Sequence, residues 1–268
     1  MHIHFLDPYQ PRLSPVHRLD PRVKFVLAVA FILTTAITPP GAWPVYILLL
    51  AIVLAVEILS DLGVGYVLRR SMLAIPFVLA AFPVIFTLEG LTVFSLDIGP
   101  WMLTASQPGL ERFISIALKS WISVQAAIIL AGSTPFPDLL VAMRAVKVPR
   151  LLVAIFGLMW RYLFVMVDEA MRLLRARAAR SGHADRSDLK PGGKLVWRGR
   201  MAGGMAGSLF LRAFERSDRI YMAMAARGYN GEVHSFALPS LSPANWLVLG
   251  LSLAVLLILL IISILIFG

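Results

Sequence analysis

The 268-residue chain contains no cysteine, which excludes disulfides, thiolate metal sites and cysteine nucleophiles. Charge is scarce as well. Only 15% of residues are charged against 59% hydrophobic, and the mean hydropathy is +0.80. Ordinary soluble domains carry about 25% charged residues, so a bilayer is the natural solvent for this chain. Acid is the scarcer sign: 15 Asp and Glu face 25 Lys and Arg, leaving a net charge of +10. Seventeen of those 25 bases lie between Arg144 and Arg227. Such a block suits nucleic acid, anionic headgroups or a cytoplasmic membrane face, and the flanking apolar spans favour the last. No nucleic-acid partner is expected. Met1 to Arg12 holds no long apolar stretch, so no cleaved signal peptide is expected there.

Catalytic patterns are also missing. Gly192-Gly193-Lys194 is followed by Leu195 and Val196, without the Ser or Thr that ligates magnesium in a phosphate-binding loop. The histidines, His2, His4, His17, His183 and His234, show no H-E-x-x-H spacing, and no serine sits in a nucleophile elbow. His2 and His4 beside a free amine could hold Ni²⁺ or Cu²⁺ in a tetragonal arrangement, but their expected cytoplasmic position favours a frayed terminus. Asp168 or Glu169 with Arg172 reads as an ordinary helix-surface pair. No Asp or Glu lies centrally in a confident span, which argues against a membrane proton relay. Neither an enzyme, a cofactor nor a metal site is expected.

What is present is an all-α, polytopic pattern with about five transmembrane helices. Four spans precede the basic block, at Phe25 to Thr38, Trp43 to Ile58, Ser71 to Leu88 and Phe113 to Ser133, within a membrane region over residues 25–134. A fifth, charge-free span runs from Asn245 to Phe267, long enough for the ~20 residues that a hydrocarbon core requires. Pro39-Pro40-Gly41 makes the first two an antiparallel pair. Pro76 and Pro83 are expected to kink the third, and Lys119 in the fourth points to contact with protein rather than lipid.

Charge orients these spans. Arg12, Arg18, Arg22 and Lys24 precede the first span, within a cytoplasmic segment over residues 1–24. Arg69 and Arg70 return to the same side, the acid-bearing stretch Glu89 to Glu111 lies outside, and Arg144, Lys147 and Arg150 lie inside again. Hydropathy alone would make Leu151 to Val167 another span. Basic clusters on both sides, with Arg161 within, oppose this, because a central arginine costs ~2.5 to 3.5 kcal/mol on insertion scales. The segment reads instead as a long interfacial helix that stays inside, which leaves the C-terminus outside.

Residues 135–232 are therefore expected to form a cytoplasmic domain with helices over about 138–147, 151–180 and 195–227. Gly203, Gly204 and Gly207 lie in a run of small residues that would let another helix approach closely. The same glycines also suit a flexible break, since each costs ~1 kcal/mol of helix propensity. Ala179-Arg180-Ser181 and Ala226-Arg227-Gly228 place an arginine after a small residue at the ends of the two long helices. There a guanidinium can serve a partner's carboxylates or carbonyls, or simply complement the helix dipole.

With these features in place, the chain resembles the T components of energy-coupling factor transporters, and among them the CbiQ-type subunits of cobalt uptake. His17-Arg18-Leu19-Asp20-Pro21-Arg22-Val23-Lys24, Arg161-Tyr162-Leu163-Phe164, Asp168-Glu169-Ala170 through Ala179-Arg180-Ser181, and Ala225-Ala226-Arg227-Gly228-Tyr229 carry the resemblance. It covers nearly the whole chain. The family's first motif is often Ala-Arg-Gly, whereas residue 181 here is serine, and Arg177 could share or replace the role of Arg180. The resemblance implies a non-catalytic subunit of the prokaryotic cytoplasmic membrane with crossed coupling helices. Their arginine ends would dock on two ATP-binding-cassette ATPase subunits, and the membrane part would hold an S component of the CbiM type, with a small accessory membrane subunit and lipids as further partners. Cobalt is the implied substrate, with nickel close behind. A membrane enzyme acting on lipids and a passive scaffold are the alternatives; the first lacks a nucleophile or metal cluster, and the paired arginines disfavour the second.

Overall fold

A computed structural model describes residues 8–87, 92–98, 101–180, 195–229 and 240–267, with no side-chain detail at 92–98, 101–105 or 195. Contacts divide the chain into two compact units. One comprises residues 4–146 with 238–268, the other residues 147–237 with 1–3.

The first unit starts with a short helix, α1 (Pro15–Arg18), capped by the Ser14 side chain. Asp20 caps α2 (Pro21–Ile37), with Pro21 at its first position, where a missing N–H costs nothing. α3 (Trp43–Ser60) returns antiparallel across a turn that requires glycine: Gly41 has φ +86°, and a Cβ there would run into the Glu111 carboxylate. The Gly41 N–H donates to Ser115 Oγ at 3.2 Å, and the Tyr46 hydroxyl donates to the Pro39 carbonyl at 2.9 Å. Thr34, Thr35 and Thr38 return their hydroxyls to carbonyls four residues back, so the polar groups of an apolar helix are satisfied within it.

The expected third span is broken and begins earlier. α4 (Val64–Ser71) already contains Arg69 and Arg70; a 3₁₀ turn at Met72–Ala74 leads into α5 (Ile75–Ala80), and a turn at 81–83 into α6 (Val84–Thr87). The first break ends just before Pro76 and the second contains Pro83, because a proline ring clashes with the preceding turn. An antiparallel hairpin follows, β1 (Thr92–Ile98) with β2 (Trp101–Ser106), pairing Asp97 with Met102. The sequence reading contained no strand; this hairpin lies in the stretch placed outside the membrane, and every other described element is helical. α7 (Gln107–Ser133) starts from Ser106, whose side chain accepts the Gly109 N–H.

α8 (Phe136–Ala145) packs along α2 and belongs to this first unit rather than heading the second. α11 (Pro243–Phe267) also packs on α2. The core gathers Phe31, Tyr46, Leu49, Val67, Ile122 and Leu256, with their neighbours, from α2, α3, α4, α7 and α11. Lys119 donates to the Ala36 carbonyl at 3.0 Å, placing the lone cation of the fourth span on the negative end of α2. Glu57 is wholly buried in α3, and neither of its carboxyl oxygens has a hydrogen-bond partner among the described residues.

The second unit consists of α9 (Arg150–Arg180) and α10 (Leu195–Ala226). Lys147, at φ +62°, marks the break before it. Among the described residues, five helical stretches are long and apolar enough to cross a bilayer: α3, α4 through α6, α7, α9 and α11. α2, with 17 residues, is about 25 Å long, somewhat short of a ~30 Å hydrocarbon core. α9 is long enough, so length does not separate a spanning from an interfacial α9; charge is the discriminating property, and Arg161 is exposed on this helix.

Candidate functional site

The two arginine tips are best understood from their helix ends. At the end of α10, the Gly228 N–H bonds to the Ala225 carbonyl and the Tyr229 N–H to the Met224 carbonyl, both at 3.0 Å. Gly228 has φ +80°. This is a Schellman C-cap, in which a left-handed glycine just past the helix satisfies the last carbonyls. The Ala-Arg-Gly order then has a physical basis: glycine stops the helix, arginine occupies the final cap position, and alanine leaves it uncrowded. Ala226, Arg227 and Gly228 are all exposed.

At the end of α9, Ala179 and Arg180 are exposed, while Ser181 lies outside the described residues. Arg177 differs from Arg180. Its guanidinium lies over the Trp197 ring, 5.8 Å from the centroid, a cation–π contact that ties the end of α9 to the start of α10. Arg180 is therefore the terminal arginine that projects outward.

The helices α9 and α10 meet further along. Arg212 forms an ion pair with Glu169, which also lies 4.0 Å from Arg172. Nearby, Leu209 contributes to an apolar depression with Met159, Tyr162, Leu163, Met166 and Ala170. Gly203, Gly204 and Gly207 lie one to two turns before this contact and are exposed; a Cβ on any of them would meet nothing within 4 Å. Within the unit, the three glycines are thus not where the helices touch. The contacting side of α10 carries partly covered residues such as Met205, Ser208, Leu209 and Ala213, a helical i, i+3, i+4, i+8 pattern. Glu169 was legible in the sequence only as an i, i+3 partner of Arg172; its link to Arg212 crosses 43 positions and needed the tertiary structure.

No group of three or more His, Asp or Glu able to hold a metal occurs among the described residues. His2, His4, His183 and His234 lie outside them. His17 is engaged: its Nε2 bonds to the Gln10 carbonyl at 3.0 Å and its Nδ1 to Ser14 Oγ at 2.7 Å. A carbonyl can only accept, so Nε2 carries the proton. Burial pushes this imidazole below its ordinary value of 6.5; the bond to Gln10 and the Gly132 backbone oppose that shift, and Lys24 and Arg12 add to it.

The family described as CbiQ, cobalt transport protein, matches residues 13–237, from the capped start of α1 through both arginine tips. The chain belongs to the CbiQ family. Similar proteins include the cobalt transport protein CbiQ of Salmonella typhimurium, 26% identical over 239 residues, covering 84% of this chain and 96% of that protein. The Rhodobacter capsulatus cobalt transport protein CbiQ is 31% identical over 175 residues, covering 65% and 67%. The energy-coupling factor transporter transmembrane protein EcfT of Lactococcus lactis is 28% identical over 236 residues, covering 83% of each chain. This CbiQ chain is accordingly a multi-pass membrane protein and a T component of an energy-coupling factor transporter, a non-catalytic subunit.

Proposed function

We propose that this CbiQ-family chain couples ATP turnover in two ATPase subunits to an S component that carries cobalt ions across a prokaryotic cytoplasmic membrane. The carrying observation is the pair of exposed helix-terminal arginines, Arg180 and Arg227, the second set on a Schellman cap. A guanidinium there offers a planar fork of donors to carboxylates or carbonyls of a docking groove. Closure of the ATPase pair would displace both tips. The Glu169–Arg212 pair and the packing around Leu209 would make α9 and α10 respond together, and their movement would tilt the S component. Cobalt comes from the names of the relatives. The distribution of bases supports an inside N-terminus, an outside C-terminus and an α9 that stays at the cytoplasmic interface. Gly203, Gly204 and Gly207, open in this chain, are suited to close approach by a helix of another subunit.

Charge reversal tests the tips. Arg180→Glu and Arg227→Glu should each reduce ATPase co-purification and cobalt uptake, because a docking arginine in a desolvated groove is worth about 2 kcal/mol or more, against ~0 to 1 for an exposed pair. Unchanged assembly and uptake in both variants would overturn the assignment. Uptake assays with nickel in place of cobalt check the substrate.

A further inference from the structure

Beside the core of the first unit lies an apolar groove of about 560 Å³, within the usual size range of ligand pockets. Leu27 and Phe31 of α2, Val56 of α3, Ile129 of α7 and Leu251 and Val255 of α11 supply its walls. Along α2 it extends from Lys24 to Phe31 and along α11 from Val248 to Leu256, roughly 10 to 12 Å at 1.5 Å per residue. That is less than half of a ~30 Å hydrocarbon core, so the groove has the depth of one leaflet.

One end differs from the rest. The groove closes there under Pro15 and Val16 of α1 and Leu19 just after it, and Lys24 and Ser133 line it. Lys24 is only 8% exposed. Its ammonium donates to the Ser133 carbonyl at 3.0 Å and the His17 carbonyl at 3.4 Å, which leaves one of its three hydrogens. No carboxylate forms an ion pair with it among the described residues; Asp20 and Asp138 act on it only through space. A buried cation is costly unless something of opposite charge meets it. The positive end also coincides with the start of α2 and the ends of α3 and α7, the side where the short basic flanks lie.

We propose that this groove is a binding site for an anionic phospholipid, with an acyl chain along α2 and α11 and the headgroup phosphate against Lys24. An apolar trough accounts for the chain, and the buried ammonium with a donor to spare accounts for the negative headgroup. Basic pockets between transmembrane helices on the cytoplasmic side recognise acidic lipid headgroups in this manner. The site is independent of the arginine tips, so failure of either assignment leaves the other standing.

The full chain, extracted from vesicles containing equal parts phosphatidylglycerol and phosphatidylcholine, is analysed by native mass spectrometry. The wild type should retain phosphatidylglycerol in preference to phosphatidylcholine. Ser252→Phe, which fills the groove from α11, should abolish that retention; Ala28→Phe fills it from α2 and replaces Ser252→Phe if that variant does not accumulate. Lys24→Gln should keep a bound lipid but lose the preference for the anionic one. Equal retention of both lipids by the wild type, or undiminished phosphatidylglycerol on the groove-filled variants, would overturn the proposal. So would groove-filled variants that, purified from native membranes, keep their phosphatidylglycerol but lose a co-purifying membrane subunit, which would make the groove a seat for a partner helix.

Discussion

Leu49, Val67 and Ile122 in the first unit are completely enclosed, whereas along α9 and α10 Val153 is the only buried residue among those described. Both regions are helical and both are rich in apolar side chains. They differ in what covers those side chains. The first unit supplies its own cover by packing α2, α3, α4, α7 and α11 around shared residues. On α10, Phe210, Leu211 and Phe214 are more than half exposed, surfaces of a size and polarity that a bilayer or another subunit covers. A two-helix unit built this way owes its shape to continuous backbone hydrogen bonding and to a few side-chain ties, and its residues are free to serve contacts rather than a core.

This contrast can be broken by experiment. Leu49→Ala should lower the stability of the purified chain by about 2 to 5 kcal/mol, the range for a large buried side chain replaced by a cavity. Leu211→Ala in the second unit should shift it by less than about 0.5 kcal/mol. Similar melting shifts in the two variants would show that α10 is covered within the chain after all.

A smaller effect sharpens the role of the tips. Gly228→Val forces a branched side chain into a left-handed conformation and should cost about 1 to 2 kcal/mol locally. Because the end of α10 carries no core, the melting transition should barely move while ATPase co-purification falls, as Arg227 loses its cap. A drop in global stability with normal co-purification would reverse that expectation.

The smallest effect concerns the strap before α1, where the Gln10 N–H bonds to the Gly132 carbonyl and His17 holds Ser14 and Gln10. The folded His17 titrates below its ordinary 6.5, so the unfolded chain binds the proton more readily. Its contribution to stability is present above about pH 6.5 and is lost as the pH falls through the lower folded value. Melting temperatures between neutral and mildly acidic pH should decline more steeply in the wild type than in His17→Gln. Parallel declines would remove His17 as the cause.

Much of this organisation is local in origin and was legible in residue order. Proline at the start of α2, a Ser or Asp before α1, α2 and α7, and glycine after α10 act within one turn of the chain, so approximate helix positions could be read directly, although hydropathy began the first and fourth spans at Phe25 and Phe113 where the caps start α2 at Pro21 and α7 at Gln107. Apolar content and the placement of bases likewise marked a membrane protein with a basic segment. What residue order left open depended on which distant segments meet. Only the folded chain placed the contact of α9 and α10 at Glu169, Leu209 and Arg212 instead of the glycines, set Arg177 on Trp197, packed α8 against α2, and gathered five helices around a groove with Lys24 at its end. Periodicity and capping operate over three or four residues, whereas a crossing point or a cavity is decided by side chains separated by tens of positions, whose fit no local pattern encodes.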